Sequence, residues 1–333
     1  MILFIEKQFI EEFFKEYNFD NKKANEDGYN ILNDILTIYS EKKIYFDCSI
    51  DEITKQVEKN PFWRNIKNYS DFYSTKGPFE SFFKNQSNFK FRQTIVLTKK
   101  QLSIDCKEYI NLQGALSFSY EDFNEKICKQ LEDYEFDISL TQGFSWNLFE
   151  RFNTPEINSV LIADNYILQN KEDHLYKLLE IFFSNRNKSQ KIEVVIITKP
   201  DDPKDINKCN QQKKSIEQDL VDKYRIYIDV KLVNSNFGIN SGIKNDIDFH
   251  DRILYSNFSS IFCGIGFNKL KEVKDKNKKK ILGRLHSESI FKIGHYKIWK
   301  REVEILNEYS TIISNPVRFP SNTFTSIPQN IEF

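Results

Sequence analysis

Ser159-Val160-Leu161-Ile162-Ala163-Asp164 is an unbroken apolar run that ends on a carboxylate. Glu193-Val194-Val195-Ile196-Ile197-Thr198 repeats that form farther on. Between them, Leu175, Leu178, Leu179 and Phe182 recur at helical spacing over 172–183. Continuous β-branched runs suit strands covered on both faces, where alternation is not needed. The strand–helix–strand order predicts an α/β domain with a mostly parallel sheet flanked by helices.

Working outward, 215–224 reads as a helix and 226–233 as a strand. Further strands are expected at 249–255, 260–264 and 281–285, and a long helix at 296–313. The tail from Asn315, with Pro316, Pro320 and Pro328, reads as extended. Toward the N-terminus, Ile2–Ile5, 43–48, Thr94–Thr98 and 115–120 read as strands. Helices are expected at 8–17, 29–39 and 121–134, with a short one capped by Ser49 or Asp51. Residues 61–91 show no regular period. The first half therefore reads as mixed α/β. With 333 residues, two domains are expected, 1–153 and 154–333, divided near Thr154-Pro155.

Composition narrows the class. Hydrophobic residues make up 40% of the chain, ample for two cores without disulfides or metals. The five cysteines are odd in number and widely spaced, with no C-x-x-C pair, against a disulfide framework or a zinc ribbon. A reducing, cytoplasmic compartment follows as the expectation. Met-Ile-Leu-Phe-Ile meets Glu6 at once and does not read as a secretory leader, and no apolar stretch is long enough to span a membrane. Residues 1–150 hold 19 Lys and Arg against 25 Asp and Glu, a net of −6, which leaves +6 for the remainder of a neutral chain. The positive excess clusters at Lys269, Lys271 and from Lys274 to Lys280, including Lys278 and Lys279. Such a run is a solvated loop or a rim that attracts phosphate.

Only His174, His250, His286 and His295 can carry imidazole chemistry, all in the second half. His174 and His295 sit at expected helix starts and read as capping or surface residues. His286 follows a strand and reads as a surface or a site residue. His250 lies in Phe249-His250-Asp251-Arg252-Ile253-Leu254-Tyr255-Ser256-Asn257-Phe258-Ser259-Ser260-Ile261-Phe262-Cys263-Gly264-Ile265-Gly266-Phe267-Asn268. On a strand, His250 and Arg252 point to one side, with a turn at Ser256-Asn257 leading into the next strand. A guanidinium fork holds phosphate oxygens, and an imidazole beside it attacks phosphorus or shuttles a proton. Gly264-Ile265-Gly266 without a third glycine and a following helix is not a dinucleotide loop, and no P-loop, H-E-x-x-H or G-x-S-x-G occurs.

The spacing His250-x-Arg252-x4-Asn257-x6-Gly264 resembles the H-x-K-x4-D-x6-G signature of the phospholipase D superfamily, with Arg for its Lys and Asn for its acid. The resemblance covers this motif and, loosely, the α/β layout from Ser159 onward. It implies a phosphodiesterase, most directly a nuclease, that needs no metal and no cofactor. His250 would be nucleophile or general acid and Arg252 the phosphate binder, with Asn257 and Gly264 shaping the pocket. Asn268, Asp164, His286, Lys278 and Lys279 are the expected substrate contacts, Asp164 because ligand sites in α/β sheets gather at strand carboxyl ends. In the superfamily two such motifs face each other, and single-motif members complete the site as a homodimer. Such members occur in bacterial antiviral or restriction systems. The expected partner is nucleic acid, not a membrane. The missing acid leaves a degenerate binding or sensor module as the alternative. The acidic N-terminal half suits a protein partner; Glu6, Asp47 and Asp105 near its strand ends read as surface groups or caps, or as metal-binding carboxylates of a PIN-like nuclease, and a toxin-like effector with its activity in this half is a further alternative.

Overall fold

The computed structural model describes residues 1–16, 26–37, 39, 42–85, 93–140, 144–184, 193–202, 204–224, 227–232, 252–270, 283–292 and 294–308, with the side chains of 193, 227–232 and 303–308 left out of account. The chain is α/β and divides into two compact units. One comprises Met1–Asp133 with Phe291–Lys297; the other comprises Tyr134–Ile290 and the helical residues from Ile298. All five cysteines are free thiols.

The first unit is built on β1 (Ile2–Ile5), β2 (Lys42–Phe46), β3 (Ser70–Ser74), β4 (Thr94–Thr98) and β5 (Ala115–Ser119). Every pairing is parallel and the order is β3-β2-β1-β4-β5. The first half is α/β, and its sheet is fully parallel. Its central strand is buried at all four positions, which explains the unbroken Ile-Leu-Phe-Ile run. Phe4 stacks on Tyr45 at 4.9 Å and meets Phe83 edge-on at 5.0 Å. A second aromatic group joins Phe13 and Tyr29, stacked at 5.4 Å, with Phe123 edge-on to Tyr29 at 4.7 Å. Each buried ring contributes about 1.5–3 kcal/mol of transfer free energy. Ser49 caps the helix Ile50–Lys59 through a reciprocal pair with Glu52.

The second unit carries β6 (Phe136–Ser139), β7 (Ser159–Ala163), β8 (Glu193–Thr198), β9 (Tyr227–Leu232), β10 (Arg252–Ser256), β11 (Ser259–Cys263) and β12 (Arg284–Ser289), in the order β6-β12-β11-β10-β7-β8-β9. This sheet is mixed, not mostly parallel. Only β7, β8 and β9 run together; β10, β11, β12 and β6 are antiparallel to their neighbours. The reason is local: β10 and β11 are joined by the two-residue turn Asn257-Phe258, and a connection that tight can only reverse the chain. The division between units falls at Asp133/Tyr134 rather than at 153/154, because β6 enters the second sheet beside β12. Tyr134 stacks on Phe152 at 5.8 Å, and Phe152 stacks on Phe182 at 5.4 Å. That aromatic column belongs to the second core. His174, expected as a cap or surface group, is 3% exposed, and its Nδ1–H donates to the Asn170 carbonyl at 3.1 Å.

Candidate phosphate site at the end of β7

Register places the site. Across antiparallel pairs, directly opposed residues share a sheet face. Arg252 is opposite Cys263, which is opposite Leu285. Leu254 is opposite Ile162, so the next residue of that face on β7 is Asp164. Ile162 is level with Ile196, so Thr198 follows on the same face at the end of β8. Arg252, Asp164 and Thr198 thus gather where the parallel strands end and the antiparallel hairpin begins. Ligand sites of α/β sheets favour such a reversal.

Asp164 organises the corner. It is fully buried, and its carboxylate accepts from the backbone N–H of Tyr166 at 2.8 Å and of Phe267 at 2.9 Å. Burial raises its pKa above the usual carboxylate range; those two backbone donors, and the Arg252 charge after them, oppose the shift without cancelling it. Burial likewise pushes the neighbouring Cys263 thiol up to about 12, so it is an inert apolar filler.

Arg252 is half-buried. Its Nη1–H donates to the Gly264 carbonyl at 3.3 Å, and its guanidinium lies 5.7 Å from the centroid of the Tyr166 ring. Its Nε has no hydrogen-bond partner among the described residues. Gly266 makes this possible. At φ +93° it has a backbone that other residues rarely adopt, and a Cβ there would lie 2.7 Å from Asn268 Oδ1 and 3.2 Å from Arg252 Nε. Asn268, 5% exposed, donates from Nδ2 to Gln169 Oε1 at 3.4 Å, while its Oδ1 finds no partner among the described residues. Thr198 Oγ1 is in the same position. Two buried polar atoms, Asn268 Oδ1 and Thr198 Oγ1, thus lie on the side of the Asp164 carboxylate and the Arg252 guanidinium without a partner among the described residues.

No family model matches this chain, and no curated protein matches it.

Of the expected site residues, the structure brings together Arg252, Asp164, Gly264 and Asn268. His250, Asp251, Lys278 and Lys279 lie outside the described residues. Two expectations are corrected. Asn257 is not a pocket group. It is fully buried in the turn, accepting from Ser159 N–H at 2.9 Å and donating to Asn158 Oδ1 at 2.8 Å, so its amide ties the hairpin to the start of β7. His286 is not on the site face. It is opposite Phe262 and Asp137, one residue out of step with the Cys263–Leu285 pair, and so points to the other side of the sheet. There its Nε2–H donates to Glu288 at 2.7 Å, beside an Asp137–Arg284 ion pair. Tyr166, Gln169 and Thr198 were not anticipated. The only sequence signal for them was their position at or just after strand carboxyl ends.

The first unit has its own strand-end group. Glu6 follows β1 and is half-buried, its carboxylate accepting from Lys99 N–H at 2.5 Å. Asp47 follows β2 and accepts from Lys7 N–H at 2.8 Å. Burial raises the Glu6 pKa, opposed by the Lys99 N–H and reinforced by the charges of Asp47 and Glu80. Asp105 is instead exposed in the first turn of the helix Ile104–Leu112. Among the described residues no group of three or more His, Cys, Asp or Glu side chains is arranged to hold a metal ion.

Proposed function

We propose that the second unit is a phosphodiesterase, most directly a nuclease, with its phosphate-binding centre at the β7–β10 corner. One observation supports the reading: Arg252 is held on the Asp164 face by the Gly264 carbonyl and the Tyr166 ring. A guanidinium held at one edge by the Gly264 carbonyl suits a phosphate oxygen. Thr198 and Asn268 supply further polar atoms on the same side.

By its resemblance to the phospholipase D superfamily, His250 attacks phosphorus and displaces one ester oxygen. A second imidazole, from another copy of the chain, protonates that oxygen as it leaves. Water then hydrolyses the phosphohistidine and frees His250. No metal takes part. Nucleic acid is the preferred substrate because the lysine-rich stretch follows the site in sequence, and a role in bacterial antiviral defence in the cytoplasm accords with the resemblance. Cleavage of an end-labelled oligonucleotide by the full chain, lost in His250→Ala, is the expected result; cleavage at the wild-type rate by His250→Ala refutes it.

The buried, fully bonded Asn257 favours a second reading, a phosphate-binding module without turnover, in which the motif is kept as a scaffold. That reading predicts oligonucleotide binding that depends on Arg252, with no cleavage by the wild-type chain.

A further inference from the structure

Tyr166 is 36% exposed, although its main chain is bonded on both sides, its carbonyl accepting from Gln169 N–H at 2.9 Å. Its N–H is bound by the buried Asp164, and the next residue, Ile167, is fully buried. A large ring on a fixed backbone costs little entropy to present, because two side-chain angles are all that remain to be set. One neighbour of the ring is the Arg252 guanidinium, 5.7 Å from its centroid. The corner thus offers a cation for a phosphate and, beside it, a partly exposed aromatic ring.

We infer that Tyr166 is a nucleobase-stacking platform for the nucleotide whose phosphate Arg252 binds, which makes single-stranded nucleic acid the substrate class; this rests on the phosphodiesterase reading above. A base in a duplex is already stacked on its neighbours and does not lie flat on a side chain beside its own phosphate. A splayed base in a single strand does, and every base has a π face, so the contact is indifferent to sequence. Gln169 is exposed and its amide oxygen accepts from Asn268 Nδ2 at 3.4 Å, which does not by itself make the donor–acceptor set needed to read one base. A lipid headgroup or a sugar phosphate brings a phosphate but no flat ring, and leaves Tyr166 without a role.

The test is the affinity of the full chain, in the His250→Ala background so that the probe survives, for oligothymidylate and for the same backbone built from abasic residues. Oligothymidylate is expected to bind about ten-fold more tightly, the effect of one stacked base. Tyr166→Ala is expected to abolish that preference by weakening oligothymidylate alone, and Tyr166→Phe to retain it. Equal affinity for the two probes overturns the platform and leaves the phosphodiesterase reading standing. So does a Tyr166→Ala loss of equal size on both, because that is a structural effect. Failure of both probes to bind, with no cleavage by the wild-type chain, overturns the two proposals together.

Discussion

The two sheets solve one problem with opposite charge. In the first, five strands run parallel, and Glu6 and Asp47, just after two of them, accept from the main chain of Lys99 and Lys7. In the second, parallel strands meet an antiparallel hairpin, and a buried acid faces a guanidinium. The strand-end carboxylates of the first unit are half-buried and stand next to like charge. Asp164 is fully buried next to opposite charge and closes two loops at once. Similar residues at similar places in α/β sheets thus do different work, and register decides which.

The sharpest way to break this contrast is to remove each carboxylate. Asp164→Ala leaves the Tyr166 and Phe267 N–H groups unpaired in a buried corner and Arg252 without its counter-charge. The expected loss of stability is about 3 kcal/mol or more, each buried orphan costing about 1–3 kcal/mol. Asp47→Ala removes one bond to the half-buried Lys7 N–H and should cost about 1 kcal/mol. Urea denaturation of the full chain reads both; equal losses contradict the contrast.

Titration sharpens it next. Lys42 on β2 is fully buried, donates to the Tyr39 carbonyl, and has its pKa lowered by burial to about 8. Between about 8 and the ordinary lysine value of 10.5 the unfolded chain binds more protons than the folded one, so stability rises with pH in that window. Lys42→Met should abolish the rise and stabilise the protein at pH 7 by as much as about 3 kcal/mol. Asp164 and Glu6 work in the other direction. Their pKa values are raised, so the stability they contribute is full below the unfolded carboxylate pKa and is lost as pH rises through the folded one. Thermal unfolding against pH checks the signs; an unchanged alkaline limb in Lys42→Met contradicts the assignment.

The smallest expected effect concerns Asn257. Asn257→Asp restores the superfamily's acid, yet the side chain sits in the turn among Ser159 and Asn158. Cleavage should be unchanged while stability falls, because a buried carboxylate replaces a bonded amide. A rise in rate would return position 257 to the site.

Much of the fold was legible where burial left a mark on composition. β1, β4, β7 and β8 are unbroken apolar or β-branched runs, found at their expected limits. β3 was missed because Ser70-Asp71-Phe72-Tyr73-Ser74 is a half-exposed edge strand with little apolar signal. Strand direction is not encoded in such runs, so the first sheet's full parallelism and the second sheet's mixture had to come from pairing. The site followed the same logic. Arg252 and Gly264 were visible as one motif, Asn268 as the end of the same run, and Asp164 as a strand end. Whether His286 joined them turned on a one-residue register across three strands, which no local pattern carries. Asn257 was misplaced because an amide in a motif looks the same whether it faces a ligand or the core.

The proposed reaction is covalent, metal-free phosphodiester cleavage through His250, supported by Arg252. It is tested most directly by incubating the full chain with labelled single-stranded oligonucleotide in excess chelator and quenching in alkali, where phosphohistidine survives. Label attached to the wild-type chain, weaker with Arg252→Lys and absent with His250→Ala, is the predicted result. Cleavage that stops on chelation, or that proceeds undiminished in His250→Ala, contradicts it and moves the chemistry to the carboxylates at the ends of β1 and β2.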